Sequence, residues 1–433
     1  MGVKKDFGYN LILTLCNYIF PLLTYPYVSR VLGVTNIGIC NFVDSIINYF
    51  ILFSMLGVSS FGVREIARYK HDRQKCDEVF SNLFVINMFL TIVSVILLVV
   101  SIYTIPILFP YKDFIGIGVV KLVFNLFLIE WFFQGIQQFR YITIRSVIVR
   151  SIYVLSVFVF VRTSDDSIIY YGLTCLTIVL NAIFNWHYSR NFKHFSFRNL
   201  NLKLYVVPIF VFGYYRILTS MYTTFNTTFL GFSSGDTEVG YFTTATKLYG
   251  IIMAVFTAFT TVMVPHVSQL VKEGNREKMQ QIANTTISAL LILSIPIIVL
   301  CEILAPYIVF VIAGPGYEGA IIPFRIVIFL LLIIGAEQII IQQFLMASNS
   351  NDSIFKVSTY GAIVGVALNI LLTPRLGAIG SSIAWGCSEL VVLLVGVSLL
   401  KKTMGLTIDI RRKTLRNSFH GIISVFLRKK SDE

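Results

Sequence analysis

The chain has 433 residues, of which 56% are hydrophobic and only 13% are charged. With a mean hydropathy of +0.78, this composition excludes a soluble globular protein and indicates a polytopic membrane protein. The formal net charge of +13 would also suit a nucleic-acid partner, but the Lys and Arg residues cluster in the connections between apolar runs. Membrane topology therefore explains the charge, and no nucleic-acid partner is expected.

Twelve apolar segments follow one another along the chain, and each is long enough to cross a hydrocarbon core of about 30 Å as a helix of roughly 20 residues. They lie at about residues 9–32, 38–60, 80–108, 114–136, 142–162, 167–189, 205–231, 238–264, 281–311, 321–345, 355–374 and 377–400. Unpaired backbone groups cannot face lipid, and the segments are too evenly apolar for barrel strands. The predicted fold class is therefore an all-α polytopic membrane protein with about 12 transmembrane helices.

The basic residues place both ends of the chain on one side of the membrane. Roughly three quarters of the 35 Lys and Arg residues lie at the N terminus, in alternate connections and in the C-terminal tail, so both termini are expected in the cytoplasm. The first segment follows Lys4 and Lys5 without a small-residue cleavage pattern, so it is expected to be retained. In the basic tail, residues 417–427 are either an interfacial helix or disordered.

Cysteine and histidine patterns predict neither a metal site nor a disulfide framework. The six cysteines are scattered through or beside the apolar segments without a C-x-x-C pair, and the five histidines form no metal-ligand pattern. No connection is longer than about 20 residues, which is too short for an independent domain. The function is therefore expected to lie among the helices, with no catalytic residue and no cofactor.

A short phrase after the first segment returns about 200 residues later. RVLGVTNIGICNFVDS (30–45) is echoed by TFLGFSSGDTEVGYFTTATK (228–247), and a shift of 202 residues matches Gly38 to Gly240. Six spans per half give both halves the same orientation, so they are expected to be parallel repeats with a cavity between them. The predicted division is an N-terminal six-helix lobe at 1–200, a C-terminal six-helix lobe at 201–402 and a basic cytoplasmic tail at 403–433.

Charged residues inside the spans are the strongest functional signal, because Arg, Lys or Asp at mid-membrane costs about 2.5–3.5 kcal/mol even on a lenient scale. At about 1.5 Å per residue, Arg216 lies about 17 Å into the seventh span and Lys247 about 14 Å into the eighth. Asp44 lies about 9 Å deep in the second span, and Glu389 reaches mid-depth in the twelfth. The two cations are expected to face a hydrated cavity, where they either pair with Asp44 or Glu389 or bind an anionic ligand.

Other charges lie nearer to an interface. Arg150 stands about two turns from the cytoplasmic end of the fifth span. Five charged side chains are close enough to an interface to extend into water, and this is the preferred interpretation for Arg30, Lys121, Arg325, Arg145 and Glu302. The acidic pair Asp165-Asp166 lies in a short outer turn, and it is interpreted as a solvated loop.

Four stretches carry a family resemblance: EWFFQGIQQFRYITIR (130–145), YPYVSRVLGVTNIGICNF (25–42), FGVREIARYK (61–70) and VPHVSQLVKEGNREK (264–278). They resemble Wzx-type oligosaccharide flippases, the polysaccharide-biosynthesis branch of the multidrug, oligosaccharidyl-lipid and polysaccharide (MOP) exporter superfamily. The resemblance covers essentially the whole chain. It implies a MATE-like fold of two six-helix lobes, with a central cavity formed mainly by helices 1, 2, 7 and 8, which carry Asp44, Arg216 and Lys247.

The resemblance implies a transporter and not an enzyme. Such a flippase moves an undecaprenyl-pyrophosphate-linked oligosaccharide repeat unit from the inner to the outer leaflet of the bacterial cytoplasmic membrane by alternating access. It would serve O-antigen, capsule or exopolysaccharide biosynthesis, with a polysaccharide polymerase and chain-length proteins as candidate partners. In this scheme Arg216 and Lys247 hold the diphosphate in a cavity that Asp44 also lines, while Arg150 and Arg30 are candidate contacts at its cytoplasmic and outer mouths.

The sequence departs from the family pattern at one position, and two other functions are alternatives to the flippase. Asn226 stands where many relatives have an acidic residue late in helix 7, which weakens the transfer of a carboxylate ion site, and a coupling ion, H⁺ or Na⁺, is left unassigned. A multidrug cation antiporter of the same superfamily would favour unpaired carboxylates where this sequence places cations. An integral-membrane glycan polymerase or ligase usually needs a large external loop, and the longest outer connection here is about ten residues.

Overall fold

The computed structural model describes residues 2–190, 192, 200–273, 275–345 and 351–407. Within these ranges every regular element is a helix, so the all-α polytopic fold class is confirmed. The helices are α1 (Gly2–Met55), α2 (Val58–Arg68), α3 (Arg73–Thr104), α4 (Lys112–Leu128), α5 (Glu130–Gly135), α6 (Phe139–Phe160), α7 (Ser167–Ser189), α8 (Leu202–Ser234), α9 (Asp236–Glu273), α10 (Arg276–Ala313), α11 (Ile321–Ile328), α12 (Leu330–Glu337), a π-helical segment (Gln338–Leu345) and α13 (Asn351–Met404).

Helices α1 and α13 are each 54 residues long, and each is interrupted at a glycine. Gly33 in α1 has a φ of 76°, and Gly377 in α13 has a φ of 56°, a positive value that glycine adopts without a steric penalty. At about 1.5 Å per residue such a helix would measure ~80 Å, more than twice the hydrocarbon thickness. Each therefore supplies two membrane crossings, at the first and second and at the eleventh and twelfth apolar segments.

The helix lengths account for the predicted number of crossings. Eight helices of the described ranges are long and apolar enough to cross a membrane, and the bent pair Glu318–Ile328 and Leu330–Leu345 makes a ninth if it counts as one span. Counting α1 and α13 twice raises these nine to eleven, and α9, which is 38 residues long but is not one of the nine, would be the twelfth. This is the number that the apolar segments predict.

The described residues pack into two compact units. The N-terminal unit contains the chain up to Thr243 together with Ile312–Gly316, and the C-terminal unit contains Thr244–Val311 and the described residues from Tyr317 onwards. The predicted lobe boundary at residue 200 and the tail beginning at residue 403 stay predictions. The stretch 417–427, for which two interpretations were kept, lies outside the described residues.

Residues that the repeat makes equivalent contact each other inside the N-terminal unit, where the second half of α1 meets the start of α9. The hydroxyls of Thr35 and Thr237 hydrogen-bond at 3.0 Å, and the Asn41 amide donates to the Thr243 hydroxyl at 3.2 Å. Both pairs are 202 residues apart. This is the shift that relates the repeated phrase in the sequence, and the relation of the two predicted lobes stays a prediction.

Two glycines allow this close approach. A Cβ atom at Gly38 would lie 1.8 Å from the carbonyl oxygen of Asp236, and one at Gly240 would lie 2.3 Å from the carbonyl oxygen of Val34. These are the glycines that the 202-residue shift matches. The repeated phrase is therefore explained by backbone-to-backbone packing of the two equivalent segments, which a side chain at either position would prevent.

The acidic pair lies in a short 3₁₀ turn, Ser164–Asp166, between α6 and α7. The Asp166 carboxylate accepts the backbone N–H groups of Arg162 and Thr163, each at 2.8 Å. These hydrogen bonds lower the pKa of Asp166 below its ordinary value of 3.8. The arrangement agrees with the interpretation of this pair as part of a solvated loop, because its carboxylate is used locally.

Candidate functional site

A cavity of about 570 Å³ opens in the N-terminal unit between α1, α2 and α8. We call it the Arg216 cavity, because Arg216 is the only charged residue among its described lining residues. The polar residues that line it are Asn48, Tyr49, Ser59, Ser60, Arg216, Thr219, Ser220 and Thr224, and the apolar ones are Ile51, Leu52, Met55 and Leu56. A polar lining of this extent inside a membrane protein indicates a compartment that holds water or a polar ligand.

Helical spacing places the polar groups of α8 on one wall of this cavity. Thr219, Ser220 and Thr224 follow Arg216 at intervals of three, four and eight residues, which lie on one helix face. Across the cavity the Tyr49 hydroxyl of α1 donates to the backbone carbonyl of Ser220 at 3.4 Å. The Arg216 side chain is exposed, and it forms no ion pair with any described residue. The wall therefore presents a cation and hydroxyl groups to a ligand.

Asp44 lies one helical turn before Asn48 and takes part in an ion pair. The ammonium Nζ of Lys121 on α4 lies 2.6 Å from Asp44 Oδ1 and also donates to Asn48 at 3.2 Å, while the Asn48 amide donates to Asp44 at 3.0 Å. The Lys121 side chain is only 13% exposed, so the prediction that it extends to water is wrong. Asp44 thus has Lys121 as its cation, and not Arg216, because α4 packs against α1.

A second pairing involves Arg145, which was also predicted to extend to water. That prediction is wrong, since the Arg145 side chain is 4% exposed and donates to Glu130, to Asn185 and, at 2.9 Å, to the Ser146 hydroxyl. Sequence reasoning did not identify this network. Its signal was Glu130 at the start of the EWFFQG stretch, an acidic residue at the end of the fourth span and 15 residues before Arg145.

Of the four site residues predicted within this unit, only Arg216 is among the described residues that line the cavity; Asp44, Arg30 and Arg150 are not. Arg30 is exposed near the interruption of α1 and donates to the backbone carbonyls of Pro26 at 2.6 Å and Ile312 at 3.4 Å. Arg150 is half-buried on α6. Their roles at the two mouths of a central cavity stay predictions.

Two further predicted residues belong to the C-terminal unit. Lys247 is half-buried on α9. Glu389 on α13 is 3% exposed, accepts a hydrogen bond from the indole N–H of Trp385 at 2.8 Å, and its carboxyl group contacts that of Glu337. Glu389 therefore has its partners within the C-terminal unit. The depth of Glu389 in its span did not predict either of them.

Comparison with known sequences gives consistent matches. The model of a family described as polysaccharide biosynthesis protein matches residues 3–271, and the MatE family model matches residues 214–374. A protein of Escherichia coli K12 named for O-antigen transport is 24% identical over 406 residues, which cover 90% of this chain and 95% of that protein. A protein of Shigella dysenteriae with the same name is 21% identical over 274 residues, covering 62% and 68% of the two chains.

Comparison with solved structures gives the fold. The inward closed conformation of the lipid II flippase MurJ superimposes with a TM-score of 0.76 at 15% identity, covering 99% of this chain and 93% of that one. An inward-facing multidrug resistance MATE family transporter of the MOP superfamily superimposes with a TM-score of 0.73 at 14% identity, covering 92% and 98%. At these identities the likeness concerns the fold, and the predicted MATE-like fold is confirmed.

Proposed function

Because the chain belongs to the polysaccharide biosynthesis protein family, within the MOP exporter superfamily, we propose that it flips an undecaprenyl-pyrophosphate-linked oligosaccharide repeat unit. The unit would move from the inner to the outer leaflet of the bacterial cytoplasmic membrane, for O-antigen, capsule or exopolysaccharide biosynthesis. The chain is a multi-pass membrane transporter and not an enzyme. The two relatives named for O-antigen transport support this substrate class.

The observation that carries this proposal is the exposed Arg216 guanidinium in a polar cavity. A cation at mid-membrane costs about 2.5–3.5 kcal/mol, so it is retained where it has a function. A guanidinium binds two phosphate oxygens at once, and the diphosphate of the substrate presents several. Thr219 and Thr224, three and eight residues further along α8, also line the cavity and carry hydroxyls, groups that can donate to phosphate or sugar oxygens.

The electrostatics of the Arg216 cavity favour an anionic ligand. Lys121 neutralises Asp44 at 2.6 Å, so the carboxylate that lies nearest along α1 does not cancel the charge of Arg216. A cationic drug would meet the guanidinium of Arg216 without a free carboxylate among the described lining residues. These charges favour the lipid-linked diphosphate over the substrates of a multidrug cation antiporter.

The remaining assignments complete the scheme. Lys247 provides the second cation for the diphosphate, Arg150 a contact at the cytoplasmic mouth and Arg30 a contact at the outer mouth. Both termini lie in the cytoplasm, and two parallel lobes alternate in access around the substrate. A polysaccharide polymerase and chain-length proteins would receive the repeat unit at the outer leaflet.

The test is to delete the gene from its native host, extract the lipid-linked glycans and determine which leaflet holds them. We expect completed repeat units to accumulate at the inner leaflet, and the wild-type gene to reverse this. Arg216→Ala should fail to reverse it at equal protein abundance, while Arg216→Lys should restore part of the flux, because it keeps the charge and loses the bidentate geometry.

The matched control is Arg375→Ala, which removes an exposed arginine beside the interruption of α13 and should complement fully. Full complementation by Arg216→Ala would remove Arg216 from the substrate site. Unchanged glycans together with altered drug susceptibility in the deletion strain would contradict the flippase proposal and favour multidrug transport.

A further inference from the structure

A second cavity of the N-terminal unit, about 540 Å³ in volume, lies along α6 and α7. We call it the α6–α7 groove, and none of its described lining residues also lines the Arg216 cavity. Its apolar part includes Ile144, Ile148 and Phe184, which are 46%, 50% and 44% exposed. Exposed side chains of this kind in a membrane-spanning segment face lipid chains, so the groove opens to the bilayer.

Two residues that line the groove, Arg145 and Tyr141, also carry buried hydrogen-bond donors without a partner among the described residues. These donors are the Nε–H of Arg145 and the hydroxyl of Tyr141. The terminal nitrogens of Arg145 are already used by Glu130 and Asn185, and Tyr141 is held by stacking on Tyr188 with ring centroids 3.8 Å apart. Each unsatisfied buried donor costs about 1–3 kcal/mol, which an acceptor atom in the groove would offset.

An arginine and a histidine lie beside these donors. Arg140 and His187 also line the groove, both are exposed, and neither forms an ion pair with a described residue. Arg140 lies in the first turn of α6, and His187 lies in the last turn of α7. The two helix ends that meet here therefore place cationic and N–H groups at one end of the groove, while the apolar side chains follow along the span.

From this arrangement we propose that the α6–α7 groove binds an anionic phospholipid of the surrounding bilayer. The phosphate accepts hydrogen bonds from Arg145 Nε–H and Tyr141 and is attracted by Arg140 and His187, while an acyl chain lies along the exposed apolar residues. A soluble phosphate would leave those apolar residues unused. Basic pockets between transmembrane helices on the cytoplasmic side are known sites for anionic head groups.

The test measures lipid binding to the purified full-length protein in detergent by native mass spectrometry. Phosphatidylglycerol is the probe, phosphatidylcholine tests the need for a net negative charge, and inorganic phosphate and undecaprenyl diphosphate are competitors. We expect phosphatidylglycerol to bind at least tenfold more tightly than phosphatidylcholine. Arg140→Ala/His187→Ala should weaken phosphatidylglycerol binding about tenfold, whereas the matched pair Arg68→Ala/His71→Ala, also exposed but outside the groove, should not.

A second variant separates ligand binding from folding. Tyr141→Phe removes the buried hydroxyl without changing the ring, so the lipid-free protein should melt at the same temperature or higher, while the rise in melting temperature on adding phosphatidylglycerol should shrink. Equal binding of the two phospholipids, or unchanged binding by Arg140→Ala/His187→Ala, would overturn the proposal. Displacement by inorganic phosphate at equal concentration, or preferential binding of undecaprenyl diphosphate, would also overturn it.

Discussion

The ion pair of Asp44 and Lys121 allows a quantitative prediction. Lys121→Met keeps the apolar stem and removes the ammonium group that lies 2.6 Å from Asp44. Unit charges about 4 Å apart interact by ~4 kcal/mol at an effective dielectric constant of 20, and removing one partner of a fully buried pair costs ~3–5 kcal/mol. Because 33% of the Asp44 side chain is exposed and Asn48 still donates to it, we expect the free energy of unfolding to fall by about 2 kcal/mol.

The double variant Asp44→Asn/Lys121→Met is the matched comparison, because it removes both charges. Replacing a buried pair by neutral groups is often close to neutral in stability, so the double variant should be more stable than Lys121→Met alone. Denaturant unfolding of the purified protein in detergent measures this, and the coupling energy should be ~1–2 kcal/mol. Additive losses from the single variants, or a Lys121→Met protein as stable as the wild type, would refute the reasoning.

The same variant should also affect transport. In Lys121→Met the Asp44 carboxylate becomes an uncompensated negative charge one helical turn from Asn48, which lines the Arg216 cavity. An anionic substrate should therefore bind less well, and the flux of lipid-linked glycan should fall further in Lys121→Met than in the double variant. A flux that is equal in the two variants at equal abundance would show that the charge does not act on the substrate.

Gly38→Ala would place a methyl carbon 1.8 Å from the backbone carbonyl oxygen of Asp236 in α9, which is a severe steric clash. We therefore expect much less folded protein, measured as the height of the monodisperse peak in size-exclusion chromatography. Gly116→Ala, with no atom within 4 Å of the new carbon, is the control and should behave as the wild type. Glu130→Gln removes the carboxylate partner of Arg145; because the Glu130 side chain is 35% exposed and Arg145 still donates to Asn185 and Ser146, we expect a cost of about 1–2 kcal/mol in denaturant unfolding, below the ~3–5 kcal/mol of a fully buried pair. An unchanged unfolding midpoint would contradict this role. The pKa of Asp166 is lowered in the folded protein, so its stabilising effect is present above pH 3.8 and is lost as the pH falls through the lowered value. The difference in melting temperature between wild type and Asp166→Asn should accordingly shrink at acidic pH, and a constant difference would contradict the assignment.

Depth along a helix could be read from the sequence, but the direction in which a side chain points could not. The apolar segments predicted the membrane crossings. The repeated phrase identified Gly38 and Gly240, the glycines at which α1 and α9 pack against each other. Arg216 was singled out by its expected depth in the seventh span, and it lines a polar cavity, while its role in substrate binding stays a prediction. In each of these cases the signal is carried by residues close together in the chain or by a fixed shift.

The pairings that were missed depend on which helices are neighbours. Lys121 and Arg145 were judged by their distance from an interface, and both are paired inside the N-terminal unit. Their partners lie 77 and 15 residues away along the chain, and nothing in a single sequence specifies that α4 packs on α1. A long basic side chain near a span end reaches water or a carboxylate equally well, so packing decides between the two.

The most direct test of the central claim is translocation in proteoliposomes that contain only the purified protein and an undecaprenyl-pyrophosphate-linked oligosaccharide. Accessibility of the oligosaccharide to an added glycosidase reports which leaflet holds it. The account predicts that wild-type protein moves the glycan between leaflets and that Arg216→Ala, equally folded and equally incorporated, does so at least tenfold more slowly. Equal translocation rates for the two proteins would contradict the proposal that Arg216 binds the lipid-linked oligosaccharide during transport.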